Sequence, residues 1–165
     1  MKKMLIVYYS WSNGNTEKVA KMLKEKTNAD LLRIDTELPY SGTYEEVVNR
    51  AQDEVKRHYM PRLKEYDVNI NDYDIIALGT PTWWYTMAPA MLSFIRNNDF
   101  KDKVVVPFMT NGGWPGHVIN DIKKECVGAK FKCSMKVRFD SEGGDKLITP
   151  VEEIDKWISE VSKLL

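Results

Sequence analysis

The stretch MLIVYYSWSNGNTEKVAKMLK, residues 4–24, contains the pattern on which the rest of the fold depends. It opens with the apolar run Met4–Tyr9, which is typical of a strand buried on both faces of a parallel sheet. A loop rich in hydroxyl and amide side chains follows. A helix is predicted over Thr16–Lys26, with apolar residues on one face and lysines on the other. A buried strand, a polar loop and an amphipathic helix in succession indicate an α/β protein.

The same alternation continues to the end of the chain and predicts five strands and about five helices. Thr43 and Glu46 have the spacing of a capping box, which predicts the start of the second helix. The further strands are predicted at Leu31–Ile34, Ile75–Leu78, Val104–Met109 and Phe131–Phe139, and the further helices at Thr43–Val55, Pro89–Asn97, Ile119–Cys126 and Val151–Leu164. No linker or repeat interrupts the pattern, so we interpret residues 1–165 as one domain.

Composition excludes several classes of function. Lys and Arg together number 24, as do Asp and Glu, so no overall charge attracts nucleic acid or an anionic membrane. The same neutrality disfavours a strongly acidic redox shuttle. The apolar run at the start is too short for a signal peptide, and no other run could span a bilayer. Cys126 and Cys133 form no CxxC motif and are expected to be buried thiols. We therefore expect a cytoplasmic protein with no membrane or nucleic-acid partner.

A ligand site is predicted beyond the carboxyl ends of the strands, where the winding direction of an open parallel sheet reverses. Loops of unusual composition follow the first, third and fourth strands and meet at that edge. The candidate binding residues are Ser10, Trp11, Ser12, Asn13, Gly14, Asn15, Thr16, Pro81, Thr82, Trp83, Trp84, Tyr85, Thr110, Asn111, Gly112, Gly113, Trp114 and His117.

The first loop, residues 10–16, is suited to an anion because it leads directly into a helix N-terminus. It has no GxxxxGK[ST] motif, which disfavours a triphosphate with magnesium, and no GxGxxG motif, which disfavours a dinucleotide. A terminal monophosphate fits it best. The alternative, a polar capping turn without a ligand, stays open at this point.

The other two loops suit a flat ring. Trp83 and Trp84 can enclose a heterocycle between aromatic faces, although one of them could equally be a core residue that the other covers. Gly112 and Gly113 let the backbone approach a ligand closely. Neither loop carries a carboxylate. A phosphate cradle, aromatic walls and close backbone are complementary requirements of a single ligand.

These residues resemble the flavodoxin family, particularly a bacterial branch with a GxPxWW stretch, over essentially the whole chain. The motifs that carry the resemblance are Tyr9-Ser10-Trp11-Ser12-Asn13-Gly14-Asn15-Thr16, Tyr73-Asp74 with Leu78-Gly79-Thr80-Pro81-Thr82-Trp83-Trp84, and Pro107-Phe108-Met109-Thr110-Asn111-Gly112-Gly113. The resemblance implies a doubly wound five-stranded parallel sheet of order 2-1-3-4-5, with helices on both faces. It also implies FMN, with its phosphate on the first loop and its isoalloxazine ring between the second and third.

Two departures from the family pattern concern the site. The first loop is one residue longer than the common pattern, which leaves open which amides contact phosphate. Tyr85 stands where glycine is frequent, so rotation of a peptide in that loop should be strained. Together with the lack of carboxylates in the second and third loops, this favours two-electron over one-electron chemistry.

Other kinds of site find no support in the sequence. No cluster of His, Cys, Asp and Glu has metal spacing, and no GxSxG motif marks a hydrolase. A receiver domain of this fold needs acidic residues after the first strand, where this chain has Tyr8-Tyr9-Ser10. His58 is expected at the surface, and the acidic segment 140–145 is expected to be a solvated turn.

Two functions remain. One is an FMN-dependent oxidoreductase that takes electrons from NAD(P)H or a reductase and reduces a small, quinone-like acceptor. The other is a non-enzymatic electron carrier that docks on redox proteins. Because a flavin would supply the chemistry itself, no catalytic side chain is predicted.

Overall fold

The structure is a computed structural model that describes all 165 residues, and its centre is one parallel sheet. The strands are β1 (Met4–Tyr8), β2 (Asp30–Arg33), β3 (Ile75–Trp83), β4 (Thr86–Met87), β5 (Val104–Asn111), β6 (Lys130–Phe131) and β7 (Met135–Arg138). The helices are α1 (Asn15–Thr27), α2 (Tyr44–Lys56), α3 (Pro89–Arg96), α4 (Val118–Glu125) and α5 (Val151–Ser162), with a single 3₁₀ turn at Ile70–Asp72.

The strand order confirms the predicted doubly wound sheet. It runs β2-β1-β3-β5, and β6 and β7 share the fifth position beside β5. Successive side chains of β1 point to opposite faces: Leu5 and Val7 belong to one buried cluster, and Met4, Ile6 and Tyr8 belong to the other. Helices α2, α3 and α4 cover the first face, and α1 and α5 cover the second.

The fifth strand was predicted as continuous over Phe131–Phe139, and this was wrong. The structure divides it into β6, which pairs with the start of β5, and β7, which pairs with its end. Cys133 lies between them with φ +54°, a left-handed conformation that interrupts extended backbone. Its carbonyl accepts a hydrogen bond from the indole of Trp157 instead of from a neighbouring strand.

The third strand is longer than its predicted range, Ile75–Leu78. It continues to Trp83 because β5 runs alongside it as far as Thr110, opposite Pro81. The chain then reverses through a two-residue turn into β4, which pairs antiparallel with the end of β3. Much of the second candidate loop is therefore a β-hairpin at the carboxyl edge of the sheet.

The predicted capping box of α2 is present. The hydroxyl of Thr43 accepts a hydrogen bond from the backbone N–H of Glu46 at 3.2 Å, and the Glu46 carboxylate accepts one from the backbone N–H of Thr43 at 2.9 Å. Two otherwise unpaired donors are satisfied at this end of the helix. The helix thus begins where the local sequence places it.

Candidate functional site

The three candidate loops meet at the carboxyl edge of the sheet and surround a cavity of about 330 Å³, here called the central cavity. Twelve predicted residues line it: Trp11, Ser12, Asn13, Asn15, Thr16, Pro81, Thr82, Trp83, Trp84, Thr110, Asn111 and Gly112. Eight further residues complete the wall: Tyr44, Val47, Val48, Ala51, Phe139, Asp140, Gly143 and Gly144. The topology therefore brings together most of the binding residues that were predicted from the sequence.

The first loop offers a row of free backbone donors. None of the backbone N–H groups of residues 11–16 donates to a protein acceptor. Left-handed φ angles at Ser12 (+61°) and Gly14 (+73°) turn the loop into the first turn of α1. A loop of free amides that ends at a helix N-terminus has a positive electrostatic potential and suits an anion.

Two hydroxyl groups of this loop hold the loop itself in place. Ser10 is buried, and its Oγ accepts a hydrogen bond from the backbone N–H of Glu17 at 3.2 Å. The hydroxyls of Thr16 and Thr110 lie 2.7 Å apart and join the first loop to the end of β5. Ser10 and Gly14 lie on the outer side of the loop, in a shallow groove that contains no residue of the second or third loop.

An ion-pair network on the outer side fixes the start of the first loop. The guanidinium of Arg33 donates to the carbonyl of Ser10 at 3.0 Å and to the carboxylate of Glu17 at 2.6 Å. Hydrogen bonds from the Tyr8 hydroxyl, from Lys21 and from Arg33 lower the pKa of Glu17. Burial and the bond to Glu17 raise the pKa of Tyr8 to about 12. At neutral pH the network therefore consists of a carboxylate, two cations and a neutral phenol.

The segment after β7 is part of the site, which the sequence did not reveal. The side-chain amides of Asn13 and Asn15 donate to the carbonyls of Gly143 and Gly144, the second at 3.0 Å. Asp140 shapes this turn, and hydrogen bonds from the backbone N–H groups of Gly144 and Lys146 lower its pKa. Residues 140–145 form the expected solvent-exposed turn, and this turn also contacts the first loop.

Two buried polar atoms of the central cavity have no partner in the protein. They are Oδ1 of Asn15 and the hydroxyl oxygen of Thr82. A buried polar atom without a hydrogen bond costs roughly 1–3 kcal/mol, so such atoms need an explanation. Both line one cavity, and a ligand that carries hydroxyl or ring polar groups would satisfy them.

The paired tryptophans have different environments. The ring of Trp83 packs edge-on against Tyr9, Tyr40 and Trp11, with centroids 5.6, 4.9 and 6.0 Å away. Trp84 is 38% exposed, and its indole N–H donates to the carbonyl of Val48 in α2 at 2.9 Å. Trp83 thus belongs to an aromatic cluster, whereas Trp84 presents a wall that is partly open to solvent.

A second cavity, here called the outer chamber, adjoins the central cavity. The two share eight lining residues: Ser12, Tyr44, Thr82, Trp84, Asn111, Gly112, Asp140 and Gly143. Exposed aromatic rings surround it: Tyr44, Trp84, Tyr85 and Trp114. Its lining includes the acidic residues Asp140 and Glu142 and no Lys, Arg or His. The structure thus adds carboxylates that the sequence of the second and third loops does not contain.

The remaining predicted residues lie at the edges of the site. Tyr85 and Trp114 line the outer chamber, and Gly113 lies against Arg138, whose guanidinium a Cβ there would meet at 3.3 Å. His117 faces away from the central cavity, into a space between helices, and its imidazole pairs with Asp121.

The wall that α2 contributes is the largest part of the site that sequence reasoning missed. Tyr44, Val47, Val48 and Ala51 fall on one face of that helix and reach the central cavity. Their spacing indicated only a core-facing stripe, because the same pattern describes a face that packs on the sheet. No group of His, Cys, Asp and Glu residues is placed to hold a metal, and no helix is long and apolar enough to cross a membrane.

Comparisons with known proteins agree with this geometry. A family profile described as flavodoxin matches residues 3–154. A protein of Bacteroides eggerthii described as a flavoprotein is 27% identical, with a TM-score of 0.77 and coverage of 96% of this chain and 97% of the other. No curated protein sequence matches the chain.

Two further solved structures share the fold at lower identity. A flavoprotein of Lactobacillus acidophilus in complex with FMN is 22% identical, with a TM-score of 0.71 and coverage of 95% and 99% of the two chains. A protein of Bacteroides uniformis, also described as a flavoprotein, is 22% identical, with a TM-score of 0.79 and coverage of 96% and 98%.

Proposed function

Because the chain belongs to the flavodoxin family, we propose that it binds FMN in the central cavity and works as an FMN-dependent oxidoreductase on a small aromatic acceptor such as a quinone. The observation that carries the proposal is that five first-loop residues with free backbone N–H groups line the same cavity as two residues with unpartnered buried polar atoms. The relative from Lactobacillus acidophilus was solved in complex with FMN, which supports the same cofactor here.

The first loop would hold the phosphate of FMN through the backbone N–H groups of residues 11–16. Asp140 is the one charged residue that lines the central cavity, and it is anionic. The phosphate charge is therefore met by amide dipoles and the N-terminus of α1 rather than by a lysine or arginine in the cavity. This accounts for a phosphate cradle that lacks the lysine of nucleoside-triphosphate sites.

The middle of the cavity would hold the sugar-alcohol chain and the ring. Oδ1 of Asn15 can accept a hydrogen bond from a ribityl hydroxyl, and the Thr82 hydroxyl can bond to a polar ring atom. Trp84 and the backbone at Gly112 offer flat and close contacts to the ring. When bound, FMN supplies the redox chemistry, and the protein holds it, excludes water and sets its surroundings.

The outer chamber supports a small-molecule acceptor. Four exposed aromatic side chains around one opening form an apolar surface larger than isolated exposed residues provide. A flat ring could stack there beside the flavin. The electron donor would be NAD(P)H or a reductase. The free thiols of Cys126 and Cys133 support a cytoplasmic location.

The second candidate function is a non-enzymatic electron carrier that docks on redox proteins. The exposed rim of the outer chamber could meet a protein surface as well as a small molecule. The net charge of zero disfavours it, because carriers of this kind use charged surfaces to steer towards partners. The turn at Trp84 and Tyr85 also lacks the glycine that eases peptide rotation, which favours two-electron chemistry.

Steady-state turnover by the FMN-loaded protein distinguishes the two functions. NADPH or NADH is supplied with 1,4-benzoquinone, and the loss of reduced nicotinamide is followed by absorbance. The proposal expects quinone-dependent turnover that saturates with quinone concentration. Absence of turnover, with rapid reduction of the bound flavin by a reductase protein, would favour the carrier.

The variant Trp114→Ala tests whether the outer chamber binds the quinone, because it removes one aromatic wall of that chamber. Trp114 is 61% exposed, so its removal should leave the fold intact. An increase in the KM for quinone without loss of bound FMN is the expected result.

A further inference from the structure

A third cavity, which Trp84 also lines, lies between α2, α3 and α4. Its volume is about 410 Å³, within the range of small-molecule sites. We call it the helix cavity. The residues that line it are Glu54, Val55, His58, Tyr59, Trp84, Thr86, Met87, Pro89, Leu92, His117, Asp121, Lys124 and Glu125.

The floor of the helix cavity is apolar and its rim is polar. Val55, Met87, Pro89 and Leu92 provide aliphatic surface, and Trp84 provides an aromatic edge. Both histidines of the chain lie on the rim. This combination of an apolar base and a few polar groups is typical of a site for a small organic molecule.

The carboxylates of the rim already have partners within the protein. Glu125 is bound by the guanidinium of Arg96 through both of its oxygens, at 2.8 and 3.0 Å, and this pairing lowers its pKa. Glu54 is buried and accepts from the Tyr40 hydroxyl at 2.6 Å and from Arg50 at 3.1 Å.

Asp121 is the third rim carboxylate, and it is also engaged. One of its oxygens accepts from the Thr86 hydroxyl and pairs with the imidazole of His117. The negative charges of the rim are therefore compensated, wholly or in part, before any ligand arrives. A cationic ligand would have to compete with these partners.

The basic side chains Lys124 and His58, in contrast to these carboxylates, have no partner within the protein. Neither forms a side-chain hydrogen bond or a salt bridge within the chain, and both are exposed at the rim. Lys124 carries three donors on a flexible stem, and His58 carries a ring N–H donor. These are the groups of the cavity that remain available to a charged ligand.

We propose that the helix cavity binds a small organic anion with a flat apolar body, whose carboxylate or sulfonate faces Lys124 and His58. The body of the ligand would cover the aliphatic floor. The proposal does not depend on the function of the central cavity. Since Trp84 lines both cavities, the occupant would lie beside a residue that also lines the central cavity.

Calorimetric titration of the FMN-saturated protein with 2-naphthoate and with the uncharged 2-naphthamide tests the proposal. Saturation with FMN removes the central cavity from competition. The native protein should bind 2-naphthoate more tightly than 2-naphthamide. Lys124→Gln should weaken 2-naphthoate binding by about fivefold and leave 2-naphthamide unchanged, as expected for one partly exposed ion pair. His58→Gln should have the same direction of effect.

Two variants make the result specific to this cavity. Lys123→Gln removes the neighbouring, exposed lysine of α4 that does not line the cavity, and it should change neither affinity. Val55→Phe places a larger side chain in the half-buried floor and should abolish binding of both probes. Equal affinity of 2-naphthoate for the native, Lys124→Gln and His58→Gln proteins would overturn the proposal.

Three other results would also overturn it. One is binding of 2-naphthoate only to the FMN-free protein, which would place the probe in the central cavity. Another is tighter binding of the cation 2-naphthylmethylammonium, which would show that the rim carboxylates dominate. The third is an absence of 2-naphthoate binding to the native protein.

Discussion

The side-chain amide of Asn15 donates a hydrogen bond to the backbone carbonyl of Gly144 at 3.0 Å, across 129 residues of sequence. This bond joins the first turn of α1 to the segment that follows β7. The other polar side-chain atom of Asn15, Oδ1, is buried without a partner, and the residue lines the central cavity. Asn15 therefore connects the scaffold to the proposed cofactor.

Replacing Asn15 with Asp should weaken FMN binding by about 2 kcal/mol, because a carboxylate would repel the phosphate that the neighbouring amides attract. Calorimetric titration of the FMN-free protein measures the effect. Riboflavin, which has no phosphate, should bind the native protein more weakly than FMN does and should lose less affinity on Asn15→Asp. The exposed residue Asn120 on α4 provides the control: Asn120→Asp should change neither affinity. Equal affinity of the native protein for FMN and riboflavin would contradict the phosphate assignment.

Substitution of the two adjacent tryptophans should have different effects, one mainly on stability and the other mainly on FMN binding. Trp83→Ala opens the aromatic cluster with Tyr9 and Tyr40 and should lower the free energy of unfolding by about 3 kcal/mol. Trp84→Ala removes a partly exposed wall and should cost less stability but weaken FMN binding by about 1–3 kcal/mol, by analogy with aromatic–base stacking. Urea unfolding and flavin fluorescence titration measure the two effects. If neither variant alters flavin affinity or fluorescence, both tryptophans are packing residues.

Gly116 is expected to be essential for the position of the hairpin turn. A Cβ at this residue would lie 2.2 Å from the carbonyl oxygen of Tyr85, which accepts a hydrogen bond from the backbone N–H of His117 at 2.7 Å. Gly116→Ala should therefore lower stability and displace the turn, with weaker FMN binding as a consequence.

The control for this prediction is Gly128→Ala, at a residue that has a similarly positive φ of +81° but a nearest contact of 3.3 Å, far from the site. Both variants incur backbone strain of about 1–2 kcal/mol. The loss in the free energy of unfolding, measured with urea, should be at least about 2 kcal/mol larger for Gly116→Ala than for Gly128→Ala. Only Gly116→Ala should affect FMN binding. Equal losses in the free energy of unfolding would show that the Tyr85 backbone moves away from the new Cβ at little cost.

The carboxylate of Glu142 should discriminate among acceptors. It lines the outer chamber, where no Lys, Arg or His offsets it. Glu142→Gln should lower the KM for the anionic acceptor anthraquinone-2-sulfonate by about threefold and leave the KM for 1,4-benzoquinone unchanged, because only the first is repelled. Glu65→Gln, at an exposed residue outside the chamber, should change neither KM. The difference should shrink as the salt concentration rises.

Stability should fall on the alkaline side. Burial and a bond to Glu17 raise the pKa of Tyr8 to about 12, and a hydrogen bond to Asp30 and burial raise that of Tyr73 to about 12. Unfolded tyrosines lose their protons near pH 10, so above that pH the folded state holds more protons. The contribution of these residues is complete below about pH 10 and is lost progressively between pH 10 and 12, at up to about 1.4 kcal/mol per pH unit for each tyrosine.

Urea unfolding at pH 9 and at intervals up to pH 11.5 measures this dependence. Tyr8→Phe should reduce the slope of the free energy of unfolding against pH by the contribution of one tyrosine. Tyr59→Phe, at a residue that is 40% exposed, should leave the slope unchanged. A free energy of unfolding that stays constant over this range would contradict the prediction.

The sequence alone determined the architecture. Apolar runs bounded by polar loops predicted the strands, the resemblance to the flavodoxin family implied the order 2-1-3-4-5, and the capping box at Thr43 predicted the start of α2. The first loop could be predicted as a candidate anion site because its amides and its helix N-terminus are consecutive in the chain. These features depend on hydrophobic periodicity and on contacts three or four residues apart, so they are visible in a local window.

Only the tertiary structure decided how the site is closed. The approach of Gly143 and Gly144 to the first loop and the presence of Glu142 in the outer chamber depend on where the end of β7 lies relative to β1. The break at Cys133 depends on a hydrogen bond from Trp157 in α5. Such contacts join residues far apart in the chain, and their geometry follows from the packing of whole elements. No local pattern of residue types encodes them.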